Sequence, residues 1–584
     1  MAGNLDARDR DGVIRALSSE PLDVLVIGGG ITGAGAALDA ATRGLRVGLV
    51  ESRDLAAGTS SRSSKLIHGG LRYLEQGDFK LVREALRERD LLVSRLAPHL
   101  VRPVPFLYPL YRKVVERPYV GAGLVLYDAM EGVKRPVPHH RHLTTRGALR
   151  RVPALRPDRL AGAMMYYDAQ VDDARYTVTV ARTAARYGAL VLTRASATTL
   201  MRDGSRVTGA VVRDEETGRT FEVRAARVIV CAGVWSDLVH EASGVRAGYQ
   251  VRMSKGVHLV MPRSAIDADT GMIVRTAKSV LFFIPWGERW IVGTTDTDWS
   301  GDRAEPAATA EDVDYILGEA NRVLATPLTR ADVLAVYAGL RPLVAEQPAE
   351  ARGDKHSGDK HSGDKGGSDA GEKPTTKLSR EHVVDTPLPG LASIAGGKFT
   401  TYRLMARDVV DAAVADLPGP VPPSVTGLLP LLGADGLPAV RASARRLAAD
   451  YEVPLAVTEH LISRYGSLAT EVLDLIRQDK TLARPLLDGY HYLRAEVAYA
   501  VTHEGALHVE DVLARRVRLL IESADGGVSA APEVAAIMAG LLGWHRRRRA
   551  VELRRYLELA AANAAALAVP APQPTLPEKV AVPA

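Results

Sequence analysis

The chain has 584 residues, of which 46 % are apolar and 25 % charged, a balance that excludes a largely disordered, collagen-like or membrane-spanning protein. Seventy-five basic residues against 69 acidic ones leave a net charge of +6. That excess is too small and too dispersed for a nucleic-acid binder, and it suits anionic small molecules or anionic headgroups.

The length prior gives three or four units, which long α/β enzymes often fuse into two, and two are expected here. The first twenty residues are studded with charge and lack the apolar centre of a secretory signal. No uninterrupted apolar run of about 18 residues occurs, so no transmembrane helix is expected. The lone Cys231 excludes an intrachain disulfide and any multi-cysteine metal centre. These features lead to the expectation of a cytoplasmic chain.

After a polar arm (1–20), Asp23-Val24-Leu25-Val26-Ile27 reads as a buried strand, Thr32 to Arg43 as a helix and Arg46 to Glu51 as a second strand. Strand, tight turn, helix and strand within about 30 residues form a βαβ unit of a parallel sheet. Between strand and helix lies Gly28-Gly29-Gly30-Ile31-Thr32-Gly33, a G-x-G-x-x-G string. With 52 glycines in the chain the string alone is weak, but this context is the one its mechanism demands. Gly28 permits the turn, Gly30 lets the backbone approach a pyrophosphate and Gly33 allows helix to pack on strand. The helix N-terminus offers N–H groups to the phosphates, and Glu51, ending the second strand, suits an adenosine ribose hydroxyl.

The fingerprint itself is compatible with FAD or NAD. Only one occurs, which argues against an enzyme with separate FAD and NAD(P) domains. The segment Gly58-Thr59-Ser60-Ser61-Arg62-Ser63-Ser64-Lys65 offers hydroxyls and cations that a longer cofactor with a ribityl chain could use. Further strands are expected at Arg227 to Cys231, Val257 to Met261, Val280 to Ile284 and Trp290 to Gly293, the last three in a largely antiparallel sheet. Cys231 reads as a small core residue.

Residues 345–377 contain a five-residue repeat with no large apolar side chain and are expected to form a disordered surface insertion. Its His356 and His361 read as solvated residues, and no metal site is expected. From about 425 the pattern turns helical, with segments near 438–450, 455–465, 468–478, 492–502, 509–522 and 531–561. The expected division is an oxidoreductase unit over 21–424 with interleaved nucleotide and substrate parts, a helical unit over 425–568, and a proline-rich tail over 569–584.

The run Ser63-Ser64-Lys65-Leu66-Ile67-His68-Gly69-Gly70-Leu71-Arg72-Tyr73-Leu74-Glu75 resembles the signature of the FAD-dependent, quinone-linked glycerol-3-phosphate dehydrogenases. Gly339-Leu340-Arg341-Pro342-Leu343 and Ile394-Ala395-Gly396-Gly397-Lys398-Phe399-Thr400-Thr401-Tyr402-Arg403 resemble the family's later motifs. Glu496-Val497-Ala498-Tyr499-Ala500 and Asp511 to Arg516 resemble its C-terminal domain, and the resemblance spans about 20 to 560. The insertion departs from the family pattern and falls beside Arg341 and Arg380.

The resemblance implies an FAD-binding Rossmann-type domain interleaved with an antiparallel-sheet substrate domain, plus a C-terminal all-helical domain. It implies FAD as cofactor, held by Gly28, Gly30, Gly33, Glu51, Thr59, Ser60, Ser61, Ser64, Lys65, Gly70, Ala232, Gly233, Gly397, Lys398 and Thr400. It further implies oxidation of sn-glycerol 3-phosphate to dihydroxyacetone phosphate, with hydride passing to the flavin and electrons to a quinone. Arg72, Arg341, Arg380 and Lys398 would anchor the phosphate dianion, with Tyr73 adding a hydroxyl. His258, in Ser254-Lys255-Gly256-Val257-His258-Leu259, is the expected base, or else a structural histidine beside the flavin; Arg341 and Lys398 complete the catalytic set. His68 is a weaker second choice, because Gly69 and Gly70 suggest backbone passing close to the flavin ring.

A quinone lies in lipid, so the resemblance implies peripheral contact with the inner face of the cell membrane. Trp544-His545-Arg546-Arg547-Arg548-Arg549 is the most suggestive tract, and a solvated or salt-bridged helix face explains it equally well. A homodimer is left open. Two rival functions stand beside the dehydrogenase: a glycerol-3-phosphate oxidase that makes hydrogen peroxide, and a non-enzymatic flavin-binding sensor.

Overall fold

The computed structural model describes residues 3–75, 77–112, 116–130, 136–276, 279–346 and 381–568, without the side chains of Arg72, Glu75 and Glu346. Arg380, the tail from 569 and all but the first two residues of the expected insertion lie outside the described residues. Those first two, Ala345 and Glu346, end the long Ala335–Glu346 strand, paired with Gln250 and Tyr249, so regular structure extends past the expected boundary.

Leu22–Ile27, Ile31–Thr42 and Val47–Val50 form the expected strand, helix and strand. Val24, Leu25 and Val26 are fully buried, the reason the segment reads as one apolar run with no alternation. Leu22–Ile27 pairs in parallel with Val47–Val50 on one side and Thr220–Val230 on the other. Leu190–Leu192 and Leu391–Gly396 extend the parallel sheet outward, and His382–Leu388 closes one edge antiparallel. One face packs against Ile31–Thr42, Asp173–Arg186 and Tyr402–Val414. The other is covered by the antiparallel Ala195–Asp203 and Arg206–Asp214 ribbon and by the Arg10–Ser19 helix within the polar arm.

Among the described residues the second sheet has ten strands, and their pairings are antiparallel except that of Arg102–Leu110 with Gly271–Arg275. Tyr249–Pro262 is central to the site: it pairs with Arg289–Gly293 on one side and along twelve residues with Ala335–Glu346 on the other. The mixed α/β architecture, with a parallel nucleotide sheet and an antiparallel second sheet, is the expected fold class.

The C-terminal region is helical from Leu437 to Ala568. Three expected helices are interrupted, that over 438–450 at Ser443, between Leu437–Ala442 and Ala444–Asp450. The 531–561 segment is Ala531–Leu542 and Arg546–Ala568, separated at Gly543, whose φ of +67° ends the first helix in a left-handed cap. The 509–522 segment is a wide turn over Asp511–Arg516 followed by the short Leu519–Glu522 helix, with Arg518 at φ +63° between them.

Candidate active site

The two sheets and the 51–68 segment enclose a cavity of about 580 Å³. Gly28, Gly30, Ile31 and Thr32 open the first helix into it, and Glu51, Thr59, Ser60, Ser64, Ala232, Gly233, Gly397, Lys398 and Thr400 line it with Gly256, His258, Gly339 and Arg341. At Gly28 (φ +113°) an added Cβ would meet the Cys231 carbonyl, and at Gly33 it would overlap the Gly28 carbonyl. Strand and helix therefore approach too closely for side chains, the arrangement that leaves helix N–H groups turned toward a ligand. The glycine cradle, the hydroxyl-rich wall and the size of the space fit an extended dinucleotide cofactor.

The 58–65 segment does not act as a uniform row of donors. Thr59 donates to the Leu340 carbonyl at 2.7 Å, which ties this wall to the Arg341 strand. Ser60 accepts the Ile31 N–H at 2.9 Å and so caps the dinucleotide helix. Ser61 does not line the cavity; its carbonyl takes hydrogen bonds from Lys65 and Arg518. Lys65 is also turned away, a correction to its expected contact with the cofactor. At φ +56° its side chain runs into the core, 2.7 Å from Asp173, and burial with Arg518 nearby pushes its ammonium down to about 8. Gly70 lies off the cavity too. Glu51 accepts N–H bonds from Gly29 (2.6 Å) and Arg53 (2.8 Å), and burial raises its carboxyl above the usual range.

Arg341 and Lys398 face the same cavity as the glycine turn. Arg341 lies opposite Ser254 in the strand register. Its guanidinium contacts Thr294 Oγ1 at 3.3 Å, the Thr295 carbonyl at 3.3 Å and Asp296 at 3.4 Å. Gly256 is what lets it lie there, since a Cβ would press on the guanidinium and on Thr294. Lys398 Nζ sits 3.5 Å from the centre of the Tyr73 ring, so Tyr73 meets this ammonium with its face and does not itself line the cavity. The Arg72 side chain and Arg380 lie outside the described residues.

His258 is buried opposite Tyr337, whose ring stacks on it at 4.8 Å and 11°. Its Nε2 is 2.8 Å from Ser64 Oγ, and its Nδ1 has no hydrogen-bond partner among the described residues. Burial, with Arg341 and Lys65 adding positive charge, holds its pKa well below the ordinary imidazole value. His68 lines the cavity and exchanges backbone hydrogen bonds with Thr400 Oγ1. Cys231 touches the cavity from the core, and burial pushes its thiol up to about 12, which leaves it unreactive.

Several supporting residues carried no local signal in the sequence. Asp173 accepts from Ser63 N and Oγ and pairs with Lys65 and Arg518, anchoring the loop that presents Ser63 and Ser64. Asp54 is gripped by Arg515 and Arg516 from the helical region. In the sequence the Arg515-Arg516 pair stands out only as part of a C-terminal motif. In the 544–549 tract, Arg548 is committed to Glu216 and Glu552, Arg549 to the Pro532 carbonyl, and Trp544 packs on the helical core. Among the described residues no group of His, Cys, Asp and Glu could hold a metal ion.

The sequence model described as "FAD dependent oxidoreductase" matches residues 23–403, and that described as "C-terminal domain of alpha-glycerophosphate oxidase" matches residues 424–549. Glycerol-3-phosphate dehydrogenase 2 of Mycobacterium tuberculosis is 53 % identical over 530 residues, 91 % of this chain and 86 % of its own length. The mitochondrial glycerol-3-phosphate dehydrogenase of Homo sapiens is 37 % identical over 558 residues, 92 % and 72 % of the two chains. The crystal structure of the Bacillus halodurans glycerol-3-phosphate dehydrogenase complexed with FAD matches with a TM-score of 0.77 at 29 % identity, covering 96 % of this chain and 99 % of that one. With a glycine cradle, a cationic wall and relatives this similar over nearly the whole sequence, the chain belongs to the FAD-dependent glycerol-3-phosphate dehydrogenase family.

Proposed function

We propose that the chain oxidises sn-glycerol 3-phosphate to dihydroxyacetone phosphate and passes the electrons to a quinone. The observation that carries the reading is one cavity lined at once by the glycine turn, by Arg341 and Lys398, and by His258. Gly28, Gly30, Ser60, Ala232, Gly233 and Gly397 would hold FAD, with Glu51 suited to its ribose, and the flavin would supply the hydride acceptor.

The protein's own groups bind, orient and deprotonate. Arg341 and Lys398 attract the substrate's phosphate, the former as a planar fork fixed from behind by Thr294, Thr295 and Asp296. His258, kept uncharged near neutral pH, is ready to take the alcohol proton. Ser64 fixes the edge of its ring and Tyr337 its plane. Asp173 in turn holds the Ser63–Lys65 loop against the cavity.

The test is the visible spectrum of the purified protein without oxygen, before and after addition of glycerol 3-phosphate. Flavin bands that bleach on addition support the reading; bands that persist overturn it. Arg341→Ala should keep its flavin while KM rises about 10²-fold, the order expected for losing a charge-assisted contact. A wild-type KM in that variant would remove Arg341 from the phosphate site. The matching C-terminal model bears the name of an oxidase, so hydrogen peroxide is measured in the same assay. Peroxide formed once per turnover would replace the quinone by oxygen.

A further inference from the structure

Lys65 is a motif cation that the proposed reaction leaves unused, and its side chain is fully buried. Taking an ammonium out of water is costly, so its surroundings have to account for it. Its Nζ lies 2.7 Å from Asp173 and 3.1 Å from the Ser61 carbonyl. Asp173, however, also accepts from the Ser63 N–H, Ser63 Oγ and the Ala174 N–H, and Arg518 approaches it at 3.3 Å. Neutralising this one carboxylate does not explain a second buried cation.

The other neighbours of the ammonium are aromatic. Nζ stands 5.2 Å from the centre of the Tyr337 ring and 5.7 Å from that of Trp286. Tyr337 is the same ring that stacks on His258. Its hydroxyl donates to the Ser63 carbonyl at 2.9 Å, and the next residue, Ser64, holds Nε2 of His258. One pinned ring thus joins the buried ammonium to the imidazole.

A tyrosine face is electron-rich and draws a cation toward it. With an ammonium already at that ring, a second positive charge on the stacked imidazole is disfavoured, because the two cations share one ring and repel each other in surroundings of low dielectric. The charged groups facing Lys65 are Asp172, Asp173 and Arg518, and those facing His258 are Arg341 and Lys65. The Lys65 ammonium, pushed down to about 8, is charged at neutral pH, and the Tyr337 phenol keeps its proton.

We propose that Lys65 is a positioning residue that acts through the Tyr337 ring to disfavour a proton on His258. Its use in the reaction rests on the reading of His258 as the base. Two measurements test it: the pH dependence of flavin reduction by glycerol 3-phosphate in anaerobic stopped flow, and the titration of His258 followed by NMR in histidine-labelled holoenzyme. The His258 resonance is the one absent from His258→Asn. Lys65→Met keeps the length of the side chain and leaves Asp173 with Arg518, Ser63 and Ala174. It should move both the His258 titration and the acid limb of the reduction rate upward by about one pH unit, a tenfold gain in proton affinity, with KM within about twofold of wild type. Lys65→Arg restores a cation and should return both to their wild-type positions. Should Lys65→Met fail to fold, Lys65→Met with Asp173→Asn removes both buried charges together and should show the same upward move.

A His258 titration that stays in place without Lys65 overturns the proposal. So does an upward move that Lys65→Arg shares, which would reduce Lys65 to packing. A titration that moves while the reduction rate ignores it sustains the link between Lys65 and His258 and removes His258 from the base role. Flavin that glycerol 3-phosphate fails to reduce even in the wild type overturns the reaction instead, and the titration then decides the link alone.

Discussion

His258 is fixed on two sides, by Ser64 at its edge and Tyr337 on its face, in surroundings that disfavour its charged form. A base held neutral by burial is weaker than a free imidazole, but it is in the proton-accepting state over the whole physiological range. His258→Asn removes the proton acceptor, and its shorter side chain also gives up the Nε2 contact with Ser64. The expected outcome is flavin reduction slowed by about 10²- to 10³-fold with substrate affinity changed only a few-fold, read by anaerobic stopped flow. Because the pKa is depressed, the wild-type reduction rate should stay level as pH falls to 6.5 and drop only below it. An unchanged reduction rate in the variant would leave His258 a positioning residue. Arg341 and Lys398 were legible as motif cations, and both line the cavity. Lys65 looked the same in the sequence, yet its left-handed backbone aims the side chain at Asp173. A motif gives the residue type but not the direction in which a local turn points it.

At the scale of elements, the 51–65 segment is held from outside the nucleotide sheet. Arg515 and Arg516 grip Asp54, and Arg518 reaches both Asp173 and the Ser61 carbonyl. The helical region is therefore a brace for a cavity wall. Arg518→Met leaves the shape of the side chain and removes its charge, stranding part of the Asp173 carboxylate in the core; a loss of about 3 kcal/mol is expected. The checks are a lower thermal midpoint and a faster loss of FAD on dilution, both relieved by excess FAD. A midpoint unchanged from wild type would mean that the brace carries no load. None of this is legible in the sequence, because each pair joins residues hundreds of positions apart. The strands and the glycine turn were readable because their signals are local: apolar runs bounded by glycine, and a helix opening directly after them.

Across the whole molecule, His508 links three separate parts of the chain, with Nε2 on Glu216 at 2.7 Å and Nδ1 on Glu552 at 3.0 Å. Burial alone would lower its pKa; the two carboxylates and Asp511 outweigh burial and raise it to about 9, against the opposing charge of Arg194. A folded pKa above the unfolded one stabilises fully below the unfolded value and is lost as pH rises through the folded value. Stability should therefore fall between pH 6.5 and 9 by on the order of 3 kcal/mol from this group, a drop that His508→Gln should flatten in urea melts taken across that range. The twelve-residue pairing of Tyr249–Pro262 with Ala335–Glu346 sets His258 opposite Tyr337, Gly256 opposite Gly339 and Ser254 opposite Arg341, all on one side of the ribbon. Losing a single residue from the middle of Tyr249–Pro262 would therefore turn the imidazole toward the opposite side, and losing one from Ala335–Glu346 would do the same to the guanidinium, so either deletion breaks the pair.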